Sequence, residues 1–396
     1  MSFDFTAFKE TENIVPLKLE AKEQFYLDLM NIEHSWTGRI DAMFANQFFR
    51  EAVQLIVNSI TLFEKGYFDC AFYSLRQSLE ISTTIVYFID DSETNRNEEM
   101  KKWKNQERFP MHNQMLNELQ KRKNVFAEIK DKMSSYFENI KVTKQKLNKY
   151  VHKQGLDKFY VARNNSLHKE KKQAKLISDF TEFLIKSMGA VAVFRLAIDP
   201  FPLLLADESV YARTGQLMTE GYSEQFIEKY IGLENIAAYK ETELYQSHYN
   251  SIIQDEEMIP SVLDVVKHNY IDKSKIDEII SQKHLLSLYD TVAVAIVSFS
   301  DKVAKVYCMG GWHWYFCNTQ TVRTSQRWGS DDFDIFKNED IKFNVPYGEA
   351  YLSHLKIWDE DFYIEHNNAF REIEIKQLDD ISTTHNIGIA NSGARH

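Results

Sequence analysis

The chain has 396 residues, of which 44% are hydrophobic and 13% aromatic, and its formal net charge is −11. This length and apolar content exclude a disordered polypeptide and suffice for two or three domains with a sizeable core. The three cysteines are too few for a disulfide framework, and the negative charge argues against a surface that binds nucleic acid everywhere.

Glycine and proline are scarce, at 13 and 6 residues, which favours long helices and predicts a mainly α protein. Residues 1–20 lack a basic region followed by an apolar core, so no secretory signal is expected and a cytoplasmic location is predicted. The most membrane-like run, residues 188–206, is interrupted by Arg195 and Asp199. We therefore expect a buried helix there and no contact with membrane.

Residues 1–39 are a lead-in segment, of which residues 1–24 are expected to be irregular apart from one short helix. Two helices are then predicted on either side of Gly66. Apolar residues recur at three- and four-residue intervals on both sides of this glycine, which predicts an antiparallel helical hairpin. Arg76 and Glu80 stand one turn apart on the second helix, where an ion pair is the favoured interpretation. Residues 91–115 are polar and are expected to be irregular.

A basic segment follows, because residues 100–175 contain 20 Lys and Arg against 7 Asp and Glu. Its net charge of +13 leaves −24 for the rest of the chain. Such a division is typical of a protein with one face for phosphates, although a solvated lysine-rich helical face explains it equally well.

The stretch Arg163-Asn164-Asn165-Ser166-Leu167-His168 lies within this segment, before a predicted amphipathic helix that extends to about residue 196. Arginine offers a planar fork of donors for a phosphate, and histidine exchanges protons near neutral pH. The asparagines and the serine favour a helix start, since their side chains bond otherwise unsatisfied amides.

The hairpin and this motif together resemble the HEPN superfamily, whose helical domains carry an Arg-x4–6-His signature at the start of a late helix. The supporting stretches are Gly66-Tyr67-Phe68-Asp69-Cys70-Ala71, Leu75-Arg76-Gln77-Ser78-Leu79-Glu80 and the motif at 163–168. The resemblance covers about residues 40–196. It implies a metal-independent endoribonuclease without a cofactor that acts as a homodimer, and a role as a toxin or antiviral defence effector.

Within that resemblance, Arg163 would stabilise charge on the phosphate, His168 would act as general acid or base, and Asn164 would orient the pair. The RNA-binding residues would be the neighbouring cations Lys121, Arg122, Lys123, Lys169, Lys171 and Lys172. Other members of the family bind RNA, nucleotide or protein without catalysis, so a non-catalytic binding or scaffold protein is the alternative.

A rival register of the motif is present at Asn148 and His152, which have the same spacing as Asn164 and His168. In this register Leu147 occupies the arginine position, and only Lys146 supplies charge nearby. If His152 is the family's histidine, the arginine is lost.

The C-terminal region, residues 199–380, is expected to be helical with a small α+β element, followed by a loose tail from 381 to 396. Strands are predicted at 303–307, 312–316, 341–345 and 373–375, and residues 289–300 fit either a strand or a helix. The aromatic run from Trp312 to Phe316 is interpreted as core packing, with a base-stacking platform as the alternative. Nothing in this region names a reaction, and an enzyme of another kind sited there is a third hypothesis.

Overall fold

The computed structural model describes residues 16–107, 109–159, 169–215, 219–318 and 342–392, with the single positions 4, 7, 331 and 336. The fold is mainly α-helical, with a small antiparallel sheet in the C-terminal part, as the sequence predicts. The chain divides into two compact units: residues 1–211 with 217–254, and residues 212–216 with 255–396. The helical unit thus continues to Gln254, beyond the domain end expected at residue 198.

The predicted hairpin is confirmed by helices α2 (Ala45–Glu64) and α3 (Phe68–Ile89), which pack along their lengths. Gly66 between them has a φ of 87°, a left-handed conformation that glycine adopts without steric cost. The apolar faces of the two helices pack against helix α8 (Lys169–Leu196). The rings of Phe63 and Phe180 stack with their centres 3.9 Å apart.

Helix α1 (Lys22–Glu33) lies within the lead-in, mostly beyond the residues expected to be irregular, and buries Phe25, Leu29 and Ile32. One segment expected to be irregular is helical. Helix α4 (Glu93–Lys104) occupies the polar stretch after residue 91, and the hydroxyl of Ser92 caps its start. The expectation of irregular structure over 91–115 was wrong because α4 is polar on nearly all faces and therefore shows no apolar periodicity.

Three further helices of the helical unit are α5 (His112–Arg122), α6 (Val125–Lys132) and α7 (Ser134–Val151). Helix α7 packs against both α3 and α8. Helix α8 approaches a π-helical turn (Ile227–Ile231) so closely at Gly189 that a Cβ there would lie 2.0 Å from the carbonyl oxygen of Tyr230. Only glycine permits that backbone contact.

Helix α8 ends in the predicted turn, and Arg195 and Asp199 form a fully buried ion pair there. The guanidinium of Arg195 also donates to the carbonyl of Ser35 at 2.6 Å. The unit is completed by short helices: α9 (Phe201–Leu204), α10 (Glu208–Tyr211), α11 (Glu224–Phe226), α12 (Leu233–Lys240) and α13 (Glu243–Ile252).

The second unit contains a five-stranded antiparallel sheet of order β1-β2-β5-β4-β3. Its longest pairing joins β4 and β5, in register from Tyr351 opposite His366 to Ile357 opposite Glu360. The strands are β1 (Tyr270–Asp272), β2 (Val303–Tyr307), β3 (Val345–Tyr347), β4 (Ala350–Ile357) and β5 (Glu360–His366). The helices are α14 (Pro260–His268), α15 (Ile276–Ser281), α16 (Leu288–Phe299), α17 (Gly311–Asn318) and α18 (Glu372–Ser392).

The strand predictions were correct only in part. Residues 303–307 form β2, whereas 341–345 contribute only their last residue to β3, and 373–375 belong to α18. Residues 289–300 are helical in α16 as far as Phe299. The tail predicted to be loose from residue 381 is helical to Ser392.

The strand predicted over 312–316 was wrong, because these residues lie in α17. Trp312, Tyr315 and Phe316 follow a three- and four-residue spacing, and the latter two are buried against Tyr307. A five-residue aromatic run does not distinguish a strand from a helix by periodicity. The packing of these rings against the sheet favours the helix, and it agrees with the interpretation of the aromatic run as core packing.

Candidate functional site

The predicted catalytic residues Arg163, Asn164 and His168 lie outside the described residues, which end at Phe159 and resume at Lys169. The structure describes the residues on either side of this stretch. The first end is a 3₁₀ turn (Leu156–Lys158) after α7, and the second is the start of α8.

A cavity of about 270 Å³, here the Lys172 cavity, lies between these two ends. Lys158, Lys172 and Lys175 line it together with Tyr150 and Asp179. The Tyr150 hydroxyl donates to the carboxylate of Asp179 at 2.6 Å, and the ammonium of Lys158 lies 4.5 Å from the centre of the Tyr150 ring. The described residues on either side of the motif therefore lie beside three lysines, of which Lys158 pairs with Asp157 at 2.6 Å.

The rival register is described in full, and its two residues differ in their surroundings. Asn148 is half-buried on α7, and its Oδ1 atom is buried without a hydrogen-bond partner. His152 caps the C-terminus of α7 with an exposed side chain, and its amide donates to the carbonyl of Asn148 at 2.8 Å. The two side chains thus lie on one helical face, with only Asn148 lining a cavity.

The predicted RNA-binding residues differ in their exposure and in their contacts. Lys121 and Lys123 are exposed at the end of α5, where Lys121 pairs with Glu118 at 3.1 Å. Lys172 is exposed in the first turns of α8. Lys169 and Lys171 lie in the same helix, but their side chains are outside the described residues.

The side chain of Arg122 forms contacts within the helical unit. Its guanidinium pairs with Asp91 at 3.0 Å, donates to the carbonyl of Tyr87 at 2.6 Å and lies over the Tyr87 ring. These contacts tie the end of α5 to the end of α3 and occupy a guanidinium that was predicted to bind RNA.

Part of the positive charge of residues 100–175 meets carboxylates from outside that segment. Lys146 pairs with Glu182, Lys132 with Glu241 and Lys153 with Asp69. These ion pairs offset some of the cations in the described part of the segment.

A buried polar cluster that the sequence analysis did not predict as a site lies between α3, α5 and α7. The Lys144 cluster consists of Arg76, Glu80, His112 and Lys144. Arg76 pairs with Glu80 at 2.9 Å, as its spacing predicts, and Lys144 reaches the same Glu80 oxygen at 3.5 Å. His112 Nε2 lies 3.1 Å from the hydroxyl of Thr83.

The positions of Lys144 and His112 perturb both side chains. Burial lowers the pKa of Lys144 to about 8, with Glu80 opposing that shift and Arg76 reinforcing it. Burial, followed by the charge of Lys144, lowers the pKa of His112 to about 3. At neutral pH the cluster therefore contains two cations, one carboxylate and a neutral imidazole.

The contact with Thr83 favours one tautomer of His112. The Thr83 hydroxyl donates to the carbonyl of Leu79 at 2.8 Å, so its oxygen accepts from His112 Nε2–H. The other ring nitrogen, Nδ1, lies 3.5 Å from the side-chain oxygen of Asn113. One feature of the sequence indicates that Lys144 is buried. It lies three residues before Leu147 and seven after Phe137, and therefore in the apolar stripe of α7. Nothing comparable marked His112.

The second unit holds two buried polar pairs that resemble catalytic arrangements. Ser353 Oγ lies 2.8 Å from His366 Nε2, and His366 Nδ1 lies 2.8 Å from the carbonyl of Asn368. The Tyr307 hydroxyl donates to Glu365 at 2.8 Å. All four side chains are fully buried, so a substrate has no access to them and their role is structural.

Among the described residues, no group of three or more His, Cys, Asp and Glu side chains is arranged to hold a metal ion. Within the same part of the chain, no helix has both the length and the apolar composition needed to cross a bilayer. Comparison with protein-family models, with curated proteins and with solved structures found no match to this chain.

Proposed function

We propose that the helical unit is a metal-independent endoribonuclease of the HEPN type. The observation that supports this most is the Lys172 cavity, because its three lysines flank the segment that contains Arg163, Asn164 and His168. Cations at that position would hold RNA phosphates beside the motif.

The chemistry follows from the side chains of the motif. Arg163 would bind two phosphate oxygens and stabilise the negative charge that develops during cleavage. His168 would remove the proton from a 2′-hydroxyl or deliver one to the leaving oxygen, and Asn164 would hold the pair in orientation. None of these steps needs a metal or a cofactor.

The remaining parts of the proposal rest on the sequence resemblance. A homodimer would bring two motifs to one cleft, and a growth-limiting toxin or defence role would follow from unregulated RNA cleavage. Lys121, Lys123, Lys169, Lys171 and Lys172 would extend the RNA-binding surface. Arg122 has a sufficient structural role in its contacts with Asp91 and Tyr87.

The test is cleavage of RNA in the presence of EDTA by the full chain and by His168→Ala and His152→Ala. We expect His168→Ala to lose at least about 100-fold in rate, since a positioned general acid or base contributes that much. His152→Ala is expected to retain activity. His284→Ala is a matched control, because this exposed histidine lies in the second unit and pairs with Glu256.

Loss of cleavage only in His152→Ala would contradict the proposed register and assign the reaction to the end of α7. RNA that binds the full chain without being cleaved would contradict the nuclease and favour the non-catalytic binding protein.

A further inference from the structure

The helical unit contains a second and larger cavity, of about 590 Å³, which is lined by residues of α5, α6, α7 and α8 and is here the Lys144 cavity. Lys144 and His112 of the Lys144 cluster both line it. Both side chains are at least nine-tenths buried, at 8% and 9% exposure. The cavity is distinct from the Lys172 cavity, which has no lining residue in common with it.

The charges around the Lys144 cavity do not balance. Arg76 and Lys144 share a single carboxylate, that of Glu80. At the rim, the cations Lys130 and Lys141 match the carboxylates Asp131 and Glu138 in number. The positive charge in excess is therefore that of Arg76 and the buried Lys144 over the single carboxylate of Glu80, and it favours the entry of a further anion.

Two residues that line the cavity each have a buried acceptor without a partner. Gln120 Oε1 and Asn148 Oδ1 have no hydrogen bond, although both residues line the cavity. Buried acceptors without a partner are unfavourable, so a ligand that supplies hydroxyl donors would gain from pairing with both.

The rest of the lining contains both apolar and amide side chains. The apolar residues are Leu116, Phe137, Ile140 and Phe194, and the further amide residues are Asn113, Asn117 and Gln145. A cavity of this size fits a small metabolite. A lining that combines aromatic rings with carboxamides suits a compound that has both apolar faces and hydroxyl groups.

We propose that the Lys144 cavity binds a small organic phosphate that carries hydroxyl groups, with its phosphate at Lys144 and its hydroxyls at Gln120 and Asn148. This assignment is independent of the proposed nuclease, because it uses different residues and a different cavity. An anion at this position completes the charge balance of the cluster, and the hydroxyls satisfy the amide oxygens.

The experiment is calorimetric titration of the full chain at pH 7 with glucose 6-phosphate, inorganic phosphate and glucose. We expect glucose 6-phosphate to bind, inorganic phosphate to bind more weakly and glucose not to bind measurably. Lys144→Met should lose about tenfold or more in affinity, since a charge-assisted hydrogen bond is removed. Lys149→Met is the matched control: Lys149 is exposed on the same helix and outside the cavity.

A second measurement needs no variant, so it does not depend on the folding of Lys144→Met. Trace acetylation of the native chain is read by mass spectrometry, and phosphate should reduce the labelling of Lys144 relative to Lys149. Binding that survives in Lys144→Met, labelling of Lys144 unchanged by phosphate, or no binding of glucose 6-phosphate at about 10 mM would each overturn the assignment.

Discussion

The two units bury similar polar side chains in opposite ways. In the sheet unit, Tyr307 with Glu365 and Ser353 with His366 are enclosed and joined by hydrogen bonds of 2.8 Å. In the helical unit, the Lys144 cluster borders a cavity and leaves acceptors on Gln120 and Asn148 unsatisfied. Buried groups whose bonds are complete stabilise a fold, whereas buried groups with incomplete bonds beside a cavity indicate a place for a ligand.

This comparison separates two histidines that the sequence presents alike. His366 is bonded through both ring nitrogens and stacks on Phe370 at 3.8 Å. His112 is hydrogen-bonded to Thr83 through Nε2, its Nδ1 lies 3.5 Å from the side-chain oxygen of Asn113, and the residue lines a cavity. The first is therefore expected to contribute mainly to stability, and the second to stability that depends on pH.

The largest effect is expected for His366→Ala in the sheet unit. Removing the ring leaves a cavity beneath Tyr351 and Phe370 and deprives the buried Ser353 of a partner, so we expect a loss of about 3 kcal/mol. Amide hydrogen exchange of β4 and β5 measures this. Ser353→Ala, which removes the same hydrogen bond but keeps the ring, should lose only about 1 kcal/mol, and equal losses in the two variants would refute the explanation.

A smaller effect is expected from acid in the helical unit. The pKa of His112 is about 3 in the folded chain and about 6.5 when unfolded. Below pH 6.5 the unfolded state binds the proton and the folded state does not, so stability falls as pH falls toward the folded pKa. Between pH 6.5 and 5 this amounts to about 2 kcal/mol.

The measurement is urea unfolding of the full chain and of His112→Gln at both pH values. The native chain should lose about 2 kcal/mol more than the variant over this interval. Identical pH dependence in the two proteins would mean that His112 is protonated in the folded state, and the charge balance assigned to the Lys144 cluster would then be wrong.

The smallest effect on stability is expected for Lys144→Met. Arg76 keeps its pair with Glu80 at 2.9 Å, and the substitution removes an ammonium whose pKa burial lowers to about 8. The free energy of unfolding should therefore change by less than about 1 kcal/mol, as for the exposed Lys149→Met. A loss of more than about 2 kcal/mol in urea unfolding would place Lys144 with the structural pairs of the sheet unit.

The amino-acid sequence determined the elements whose signals are local. The apolar spacing around Gly66 predicted the hairpin of α2 and α3, and the spacing of Arg76 and Glu80 predicted their ion pair. The strand β2 was also predicted, and its valines and tyrosine favour extended backbone. The resemblance at Arg163, Asn164 and His168 stays a prediction, because those residues lie outside the described part of the chain.

The tertiary structure decided whatever depends on contacts between distant residues. Residues 311–318 are helical because Tyr315 and Phe316 pack on Tyr307. The helical unit extends to Gln254. The tertiary structure also brought Lys144, His112 and Glu80 together from three helices. Their burial, and hence their pKa shifts, follow from the packing of those helices and have no counterpart in the spacing of residues along the chain.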